Sequence, residues 1–471
     1  MSLVLGLDLG TTTITTVALD LSTRRLLSHA SVPNRAQRTV KPPRSEWDAQ
    51  KIAELACQAL RELAPLCHDR KDIVGLGITG QQHGGLVVDE KTLQPLTPFV
   101  NWQDKSGEEQ AGGSNYLEQC RDRLGEKAPT LTGCRLSPGY LALTLFRWSQ
   151  RGELPRSGRA CFIMDYMTGL LTGQVPFTDG TCAASAGVMD VRRGDWAWDL
   201  IERLELPRSL FPEVRPSGVL AGRLTQSMAH ATGLPEGLPI YAGIGDNQAS
   251  FLGSVADPES SILINVGTGG QVAQWIPDFR HALPLDTRPF PVEGFLLVSA
   301  GLTGGQAYAV LESFLRDLAN QLGVAQVGDL YSMMNRLASE VPPGSEGVQC
   351  LPFFSGTRLD PTARASWTGI GSGTFTLGHL ARSLLEGMAE VFKSSRDRIV
   401  AASGRTPDNL TGSGNGIRSN ALLRQILEKS LGMELCLPPH CEEAAVGAAR
   451  LASVRAGVFP NLRASGELVT R

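Results

Sequence analysis

Apolar residues run almost unbroken from Leu3 to Leu7, give way to a polar, glycine-containing turn, and resume from Ile14 to Leu19. Apolar and β-branched runs on either side of Gly10 predict a hairpin over residues 1–20, with Asp8, Gly10 and Thr13 at its turn. The period then changes. Ile52, Leu55, Ala59 and Leu63 fall on one face of a helix over 47–64, which Pro65 ends and which Ser45 and Asp48 start with a variant capping box. Val74–Ile78 reads as a buried strand that ends in Gly80–Gln81–Gln82–His83–Gly84. Strand, loop and helix alternate onward to Gly243, as in a mainly parallel α/β sheet.

The opening pattern returns at Ser260. Ile262–Leu263–Ile264–Asn265–Val266–Gly267–Thr268–Gly269–Gly270, with Val272–Ile276 behind it, aligns with Leu5–Gly6–Leu7–Asp8–Leu9–Gly10–Thr11–Thr12–Thr13 and its second strand. This reads as an internal duplication: domains over 1–253 and 254–471, each opening on a phosphate-facing hairpin. Asp257–Pro258 supplies the break. Helices over 384–400, 421–431 and 442–456 complete the second domain, with Gly432 and Gly457 as C-caps of the last two.

Composition narrows the function. Lys and Arg total 44 against 47 Asp and Glu, a net charge of −3 without long runs of either sign, which argues against a nucleic-acid binder. Nine cysteines with no CxxC pair argue for reduced thiols rather than a disulfide framework or a zinc site, hence a cytoplasmic protein. No apolar stretch is long enough to span a membrane. The oligomeric state stays open, a homodimer being one arrangement.

Several segments carry chemistry. Gly10 lets backbone approach a phosphate, Thr11, Thr12 and Thr13 offer N–H and hydroxyl donors, and Asp8 can hold Mg²⁺ through water. One such turn could equally be an ordinary hairpin. A second copy at Gly267, Thr268 and Gly269 points to a nucleotide pinched between two domains, with Asn265 in place of the acid. No GxxxxGK[ST] occurs, so phosphate binding does not come from a P-loop. Asp246 follows the strand predicted over 238–244 and is placed to accept a proton from a hydroxyl, or simply to cap the next helix. Gln82, His83, Trp102 and Asp104 offer the amide, imidazole, ring and carboxylate that polyol recognition needs, against plain core or surface roles. Gly304 and Gly305, and Gly412, Ser413 and Gly414, form further glycine loops, the latter before the helix over 421–431.

In this order the segments resemble the FGGY carbohydrate kinases, over essentially the whole chain. Gly6–Thr12 is similar to the family's first phosphate motif, Gly80–Gly84 to its GQMHG segment, and Gly245–Asp246–Asn247 to the segment carrying its base. Gly267–Gly269 resembles the second phosphate motif, Pro352–Arg358 the PYLSGER signature, Thr411–Gly414 with Asn420 the adenosine loop, and Glu443–Ala449 the EAAxGAA helix. The resemblance implies two actin-like (ribonuclease H-like) ATPase domains around an interdomain cleft, with ATP and Mg²⁺ as cofactors. It makes Asp246 the general base and Asp8 the metal-side acid. Gln82, His83, Asp104, Asp246 and Asn247 would hold the sugar, and the glycines and threonines above, with Asn420, the nucleotide. Trp102–Gln103–Asp104, Met164–Asp165–Tyr166 and Gly412–Ser413–Gly414 look sedoheptulokinase-like, whereas Pro352–Arg358 and Gly245–Asn247 suit xylulokinases equally. Gln82 departs from the usual Met, Lys105–Ser106 departs from the usual pair after the aspartate, and the Arg–Glu pair of glycerol kinases is absent. A non-metabolic actin-like ATPase is the alternative of a different class.

Overall fold

The computed structural model describes residues 2–67, 72–324, 326–358, 360 and 362–470. Contacts divide the chain into a first unit of Met1–Pro258, Trp275–Leu296 and Glu442–Arg471, and a second of Glu259–Gln274 and Leu297–Cys441. No helix among the described residues is long and apolar enough to cross a membrane.

The first unit is built on a seven-stranded sheet. Strands β1 (Leu3–Leu9), β2 (Thr13–Asp20) and β3 (Arg25–Pro33) form an antiparallel meander. Helix α1 (Ala49–Leu63) then leads to β4 (Ile73–Gly80), which lies parallel to β1 on the side away from β2. Further along the chain come the short helix α2 (Gly180–Ser185), strands β5 (Leu220–Arg223), β6 (Pro239–Tyr241) and β7 (Ile244–Gly245), and helix α3 (Asp246–Ser254). The order is β5–β6–β4–β1–β2–β3, with β7 also paired to β4. Three ladders are antiparallel and three parallel, so the sheet is mixed rather than mainly parallel. Short turns can join only antiparallel neighbours, and the opening hairpin grows into a meander before the first helical crossover returns the chain alongside β1. The strand predicted over 238–244 is also split, into β6 and β7.

Helix α1 starts at Asp48, whose carboxylate accepts from Lys51 N at 3.1 Å, without the predicted help of Ser45. The Ser45 hydroxyl instead donates to Asn101 Oδ1 at 2.7 Å, tying a loop of the site together.

The helix Glu443–Arg455 was expected to end the second domain, yet its contacts place it in the first unit. Its small residues explain the fit. A Cβ on Gly6 of β1 would lie 1.9 Å from Ala445 O, and one on Gly77 of β4 2.1 Å from Ala448 O. The helix therefore rests on the sheet at backbone distance. Fully buried Arg450 fixes it further, donating to Leu252 O and Val255 O at 2.6 Å, Ala256 O at 2.9 Å, Leu462 O at 2.6 Å and Ser465 Oγ at 2.9 Å. Three of these five bonds satisfy carbonyls at the C-terminal end of α3, where a cation is favourable.

The second unit repeats the opening arrangement. Strands β8 (Ser261–Val266) and β9 (Gly269–Ile276) form the predicted hairpin, and β10 (Phe295–Thr303) leads into helix α4 (Gly305–Gln321). Helix α5 (Leu377–Ser403) is longer at both ends than its apolar stripe suggests, since Thr376 caps its start and Gly404, at φ 68°, its end. Strand β11 (Asn409–Ser413) lies parallel to β8, as β4 does to β1. Helix α6 (Ala421–Leu431) ends at Gly432 as predicted.

Candidate active site

Asp8 stands one residue before the end of β1, and Asp246 directly follows β7. Leu9 pairs with Gly80 and Gly80 with Gly245, so both acids sit at the carboxyl ends of parallel neighbours, where α/β sheets bind ligands. Burial lifts the Asp8 carboxyl to about 7, and the nearby Asp246 charge adds to the lift. Its Oδ1 is buried and has no hydrogen-bond partner among the described residues. Burial also lifts Asp246, to about 6, against the pull of backbone N–H donors from Asn247, Gln82 and Asp246 itself, which favour the carboxylate. Asp246 occupies the first turn of α3, and Gly245 is the cap, so the acid does not serve as the N-cap. Asn247 follows it on the same turn and is partly buried.

The first phosphate turn adjoins this pair. A Cβ on Gly10 would lie 2.6 Å from Thr13 O, so the turn closes too tightly for a side chain there. Asn34 pins the turn from outside, donating its Nδ2 to Gly10 O at 2.9 Å and its backbone N–H to Thr12 O at 2.8 Å. Thr12 and Thr13 are exposed. Thr11 Oγ1 donates to Gln81 Oε1 at 3.1 Å and accepts from Trp102 Nε1 at 3.0 Å. Trp102 itself is 49% exposed, an apolar ring held by its one polar atom.

Gln82 is buried, and its Nε2 donates at 3.0 Å to both Thr181 O and Gln248 Oε1. His83 adopts φ 76°, a region that non-glycine residues rarely enter. Its N–H donates to Ser185 Oγ at 3.1 Å, and its ring stacks on Tyr140 at 4.3 Å between centroids. Asp104 is buried and accepts from Ser45 N at 2.7 Å, Ser106 N at 2.9 Å and the Ser106 hydroxyl. Its carboxylate therefore organises the loop over 101–106. Asp165 likewise accepts from Phe162 N at 3.1 Å at the start of its own helix, and Tyr166 is buried, so this pair serves the core.

The remaining predicted residues form a second constellation, in the second unit. Gly305 N donates to Gly267 O at 2.8 Å and Gln306 N to Thr268 O at 3.1 Å, bringing the start of α4 against the β8–β9 turn. Gly304 is required there, since a Cβ would lie 2.3 Å from Gly269 O. Gly414, at φ 85°, approaches the same turn, 2.6 Å from Val266 O to an added Cβ. Thr268 and Gly269 are exposed. Ser413 Oγ is buried and accepts from Asn265 Nδ2 at 2.8 Å, so the amide that stands where the first turn has its acid is held by its neighbouring strand. Gly412 makes room for Leu435 and Ile417 instead of facing the turn. Asn420 caps α6 through Leu423 N at 2.9 Å and donates to Asn335 Oδ1 at 3.0 Å.

Sequence reasoning overlooked Gln81, Asn101, Thr181, Ser185 and Gln248. Gln81 was visible between two residues already singled out, and it joins Thr11 to Asn101, whose Nδ2 donates to it at 3.0 Å. Asn101 and Gln248 adjoin Trp102 and Asn247, which were singled out, whereas Thr181 and Ser185 lie on a segment that no such motif marks.

The N-terminal domain of the FGGY family of carbohydrate kinases matches residues 3–253 and its C-terminal domain residues 282–456. The chain belongs to this family, and is an ATP-dependent sugar kinase, a phosphotransferase with an alcohol acceptor. It is 26% identical to a glycerol kinase of Saccharolobus islandicus, over 98% of this chain and 89% of that one. It is 25% identical to a xylulose kinase of Lactococcus lactis, over 98% and 90%. The crystal structure of a xylulose kinase from Rhodospirillum rubrum superposes with a TM-score of 0.87 at 25% identity, covering 99% of this chain and 93% of the other.

Proposed function

We propose that this kinase transfers the γ-phosphoryl group of ATP to a hydroxyl of a ketose, with sedoheptulose as the leading acceptor and xylulose as the second. The observation that carries the reading is Asp246: a carboxylate at a strand end, held by three backbone N–H groups and raised to about 6, where it can take a proton at neutral pH. Phosphoryl transfer asks chiefly for positioning and charge neutralisation, with one base guiding the attacking oxygen. Asp246 draws the proton from the acceptor hydroxyl. His83, Trp102 and Asn247 hold the sugar around it, while Gln82 and Asp104 keep the segments on which these residues stand in place.

Asp8 fits a divalent cation: a buried carboxylate oxygen without a partner among the described residues, beside a second acid, is a site where positive charge is favourable. Mg²⁺ held there would supply charge neutralisation for the transferred phosphoryl group. Gly10, Thr11, Thr12 and Thr13, then Gly267, Thr268, Gly269, Gly304 and Gly305, present backbone N–H and hydroxyl donors to phosphates. Gly412, Ser413, Gly414 and Asn420 shape the adenosine end. In this reading residues 1–253 bind the sugar, residues 254–471 the nucleotide, and the enzyme works in the cytoplasm.

The leading acceptor rests on Trp102–Gln103–Asp104 and Gly412–Ser413–Gly414; the second is favoured by the xylulose kinases among the relatives. Sedoheptulose, xylulose, ribulose, fructose and glycerol, ranked by kcat/KM, decide between them, with sedoheptulose expected highest. ADP release that none of the five sugars alters would overturn the whole reading. Replacing His83 with alanine is expected to raise the KM for sugar far more than that for ATP; equal rises would remove it from the acceptor site.

A further inference from the structure

Thr181, the second residue of α2, is fully buried and meets both segments that hold the base. Its hydroxyl donates to the Asp179 carboxylate, at 2.8 Å and 2.9 Å from the two oxygens, and accepts from Gly245 N at 2.9 Å. Its carbonyl accepts from Gln82 Nε2 at 3.0 Å. Gly245 immediately precedes Asp246, and the Gln82 backbone N–H is one of the donors on the Asp246 carboxylate. The packing leaves no slack: a Cβ on Gly245 would lie 1.9 Å from Gln82 Nε2. Asp179, itself fully buried, is fixed in turn by Cys182 N at 2.9 Å and Ser217 Oγ at 2.5 Å.

We infer that Thr181, oriented by Asp179, is a positioning residue for the phosphoryl transfer, aligning Asp246 by gripping Gly245 and Gln82 together. The inference rests on Asp246 being the base. A hydroxyl has one proton to give, and here it goes to Asp179, which turns a lone pair towards the Gly245 N–H. Loss of that acceptor frees the strand end to drift, and displacements of about 1 Å at a reacting group cost about a hundredfold in rate.

The test compares Thr181→Val, which keeps shape and removes the hydroxyl, with Thr181→Ser, which keeps the hydroxyl. Thr181→Val is expected to lower kcat by about ten- to a hundredfold per folded molecule, leaving the KM for ATP unchanged. Its acid limb should move to higher pH, because a displaced Asp246 loses the backbone donors that favour its carboxylate. Thr181→Ser should restore both. A Thr181→Val enzyme with a lower Tm but normal kcat and normal acid limb would reduce Thr181 to a structural residue and overturn the inference. If Thr181→Val does not fold, Thr181→Cys takes its place, and a wild-type rate and profile there overturn the inference equally. Asp246→Asn, assayed in parallel, separates the two claims. Near-normal turnover in Asp246→Asn defeats the base assignment itself, whereas an inactive Asp246→Asn beside a normal Thr181→Val defeats only the role of Thr181.

Discussion

Replacing Asp246 with alanine is expected to lower kcat by about 10²–10⁴-fold, the range a positioned general base contributes, with little change in Tm. Stability should survive because loss of the side chain removes a desolvated like charge beside Asp8. Two further readouts follow from the same pair. In the wild type, kcat/KM should rise as pH rises through about 6, since only the ionised Asp246 can accept a proton and burial has raised its carboxyl to that value. In the variant, the Asp8 carboxyl should titrate lower, because one of the two causes of its elevation is gone; carbon NMR of the carboxyl groups reports this directly. Near-normal turnover in the alanine variant would refute the base assignment.

The largest effect on stability is expected from a single methyl group at Gly447. A Cβ there would lie 1.8 Å from Ala249 O and 2.8 Å from Gly253 N, and one on Gly253 would lie 1.7 Å from Glu443 O. Helix Glu443–Arg455 and α3 thus meet backbone to backbone, with glycines facing each other across the contact. Relief requires moving a helix rather than a side chain, so Gly447→Ala is expected to cost about 3 kcal/mol or more, the upper range for overpacking. Gly373, where an added Cβ meets nothing within 4 Å, is the control, and its alanine variant should stay within about 0.5 kcal/mol. Denaturant midpoints of the two variants decide the matter; equal values would mean the helices can part without penalty. Any effect on activity would be indirect, because α3 begins with Asp246.

Both hairpins, both acids and the glycine turns were legible in the sequence, because each rests on local chemistry. β-Branched runs define strands, glycine and threonine define the turns, and Gly432 ends its helix where predicted. What could not be read depends on distant partners. Nothing in the sequence marks Asp104, read as a sugar ligand, as also accepting from Ser45 and Ser106. Ser45 was assigned to a cap three residues away, whereas its partner Asn101 is distant in sequence. Thr181 and Gln248 act through bonds to residues far along the chain, and no periodicity announces such contacts. The balance of parallel and antiparallel ladders was likewise hidden, since it depends on which strand returns beside which.

The return of Glu442–Arg471 to the first unit bears on how the polypeptide is made. Val4, Val17 and Leu19, near the amino terminus, share a cluster with Ala445, Val446, Ala449 and Leu468. On the ribosome, the strands over residues 3–20 therefore wait, with one apolar face bare, until residues 445–468 have been translated. The second unit, whose segments lie between, can gather its own strands first. One face of the opening sheet can thus close over a core within residues 3–240 early, while its other face stays open to chaperones until the last helix arrives.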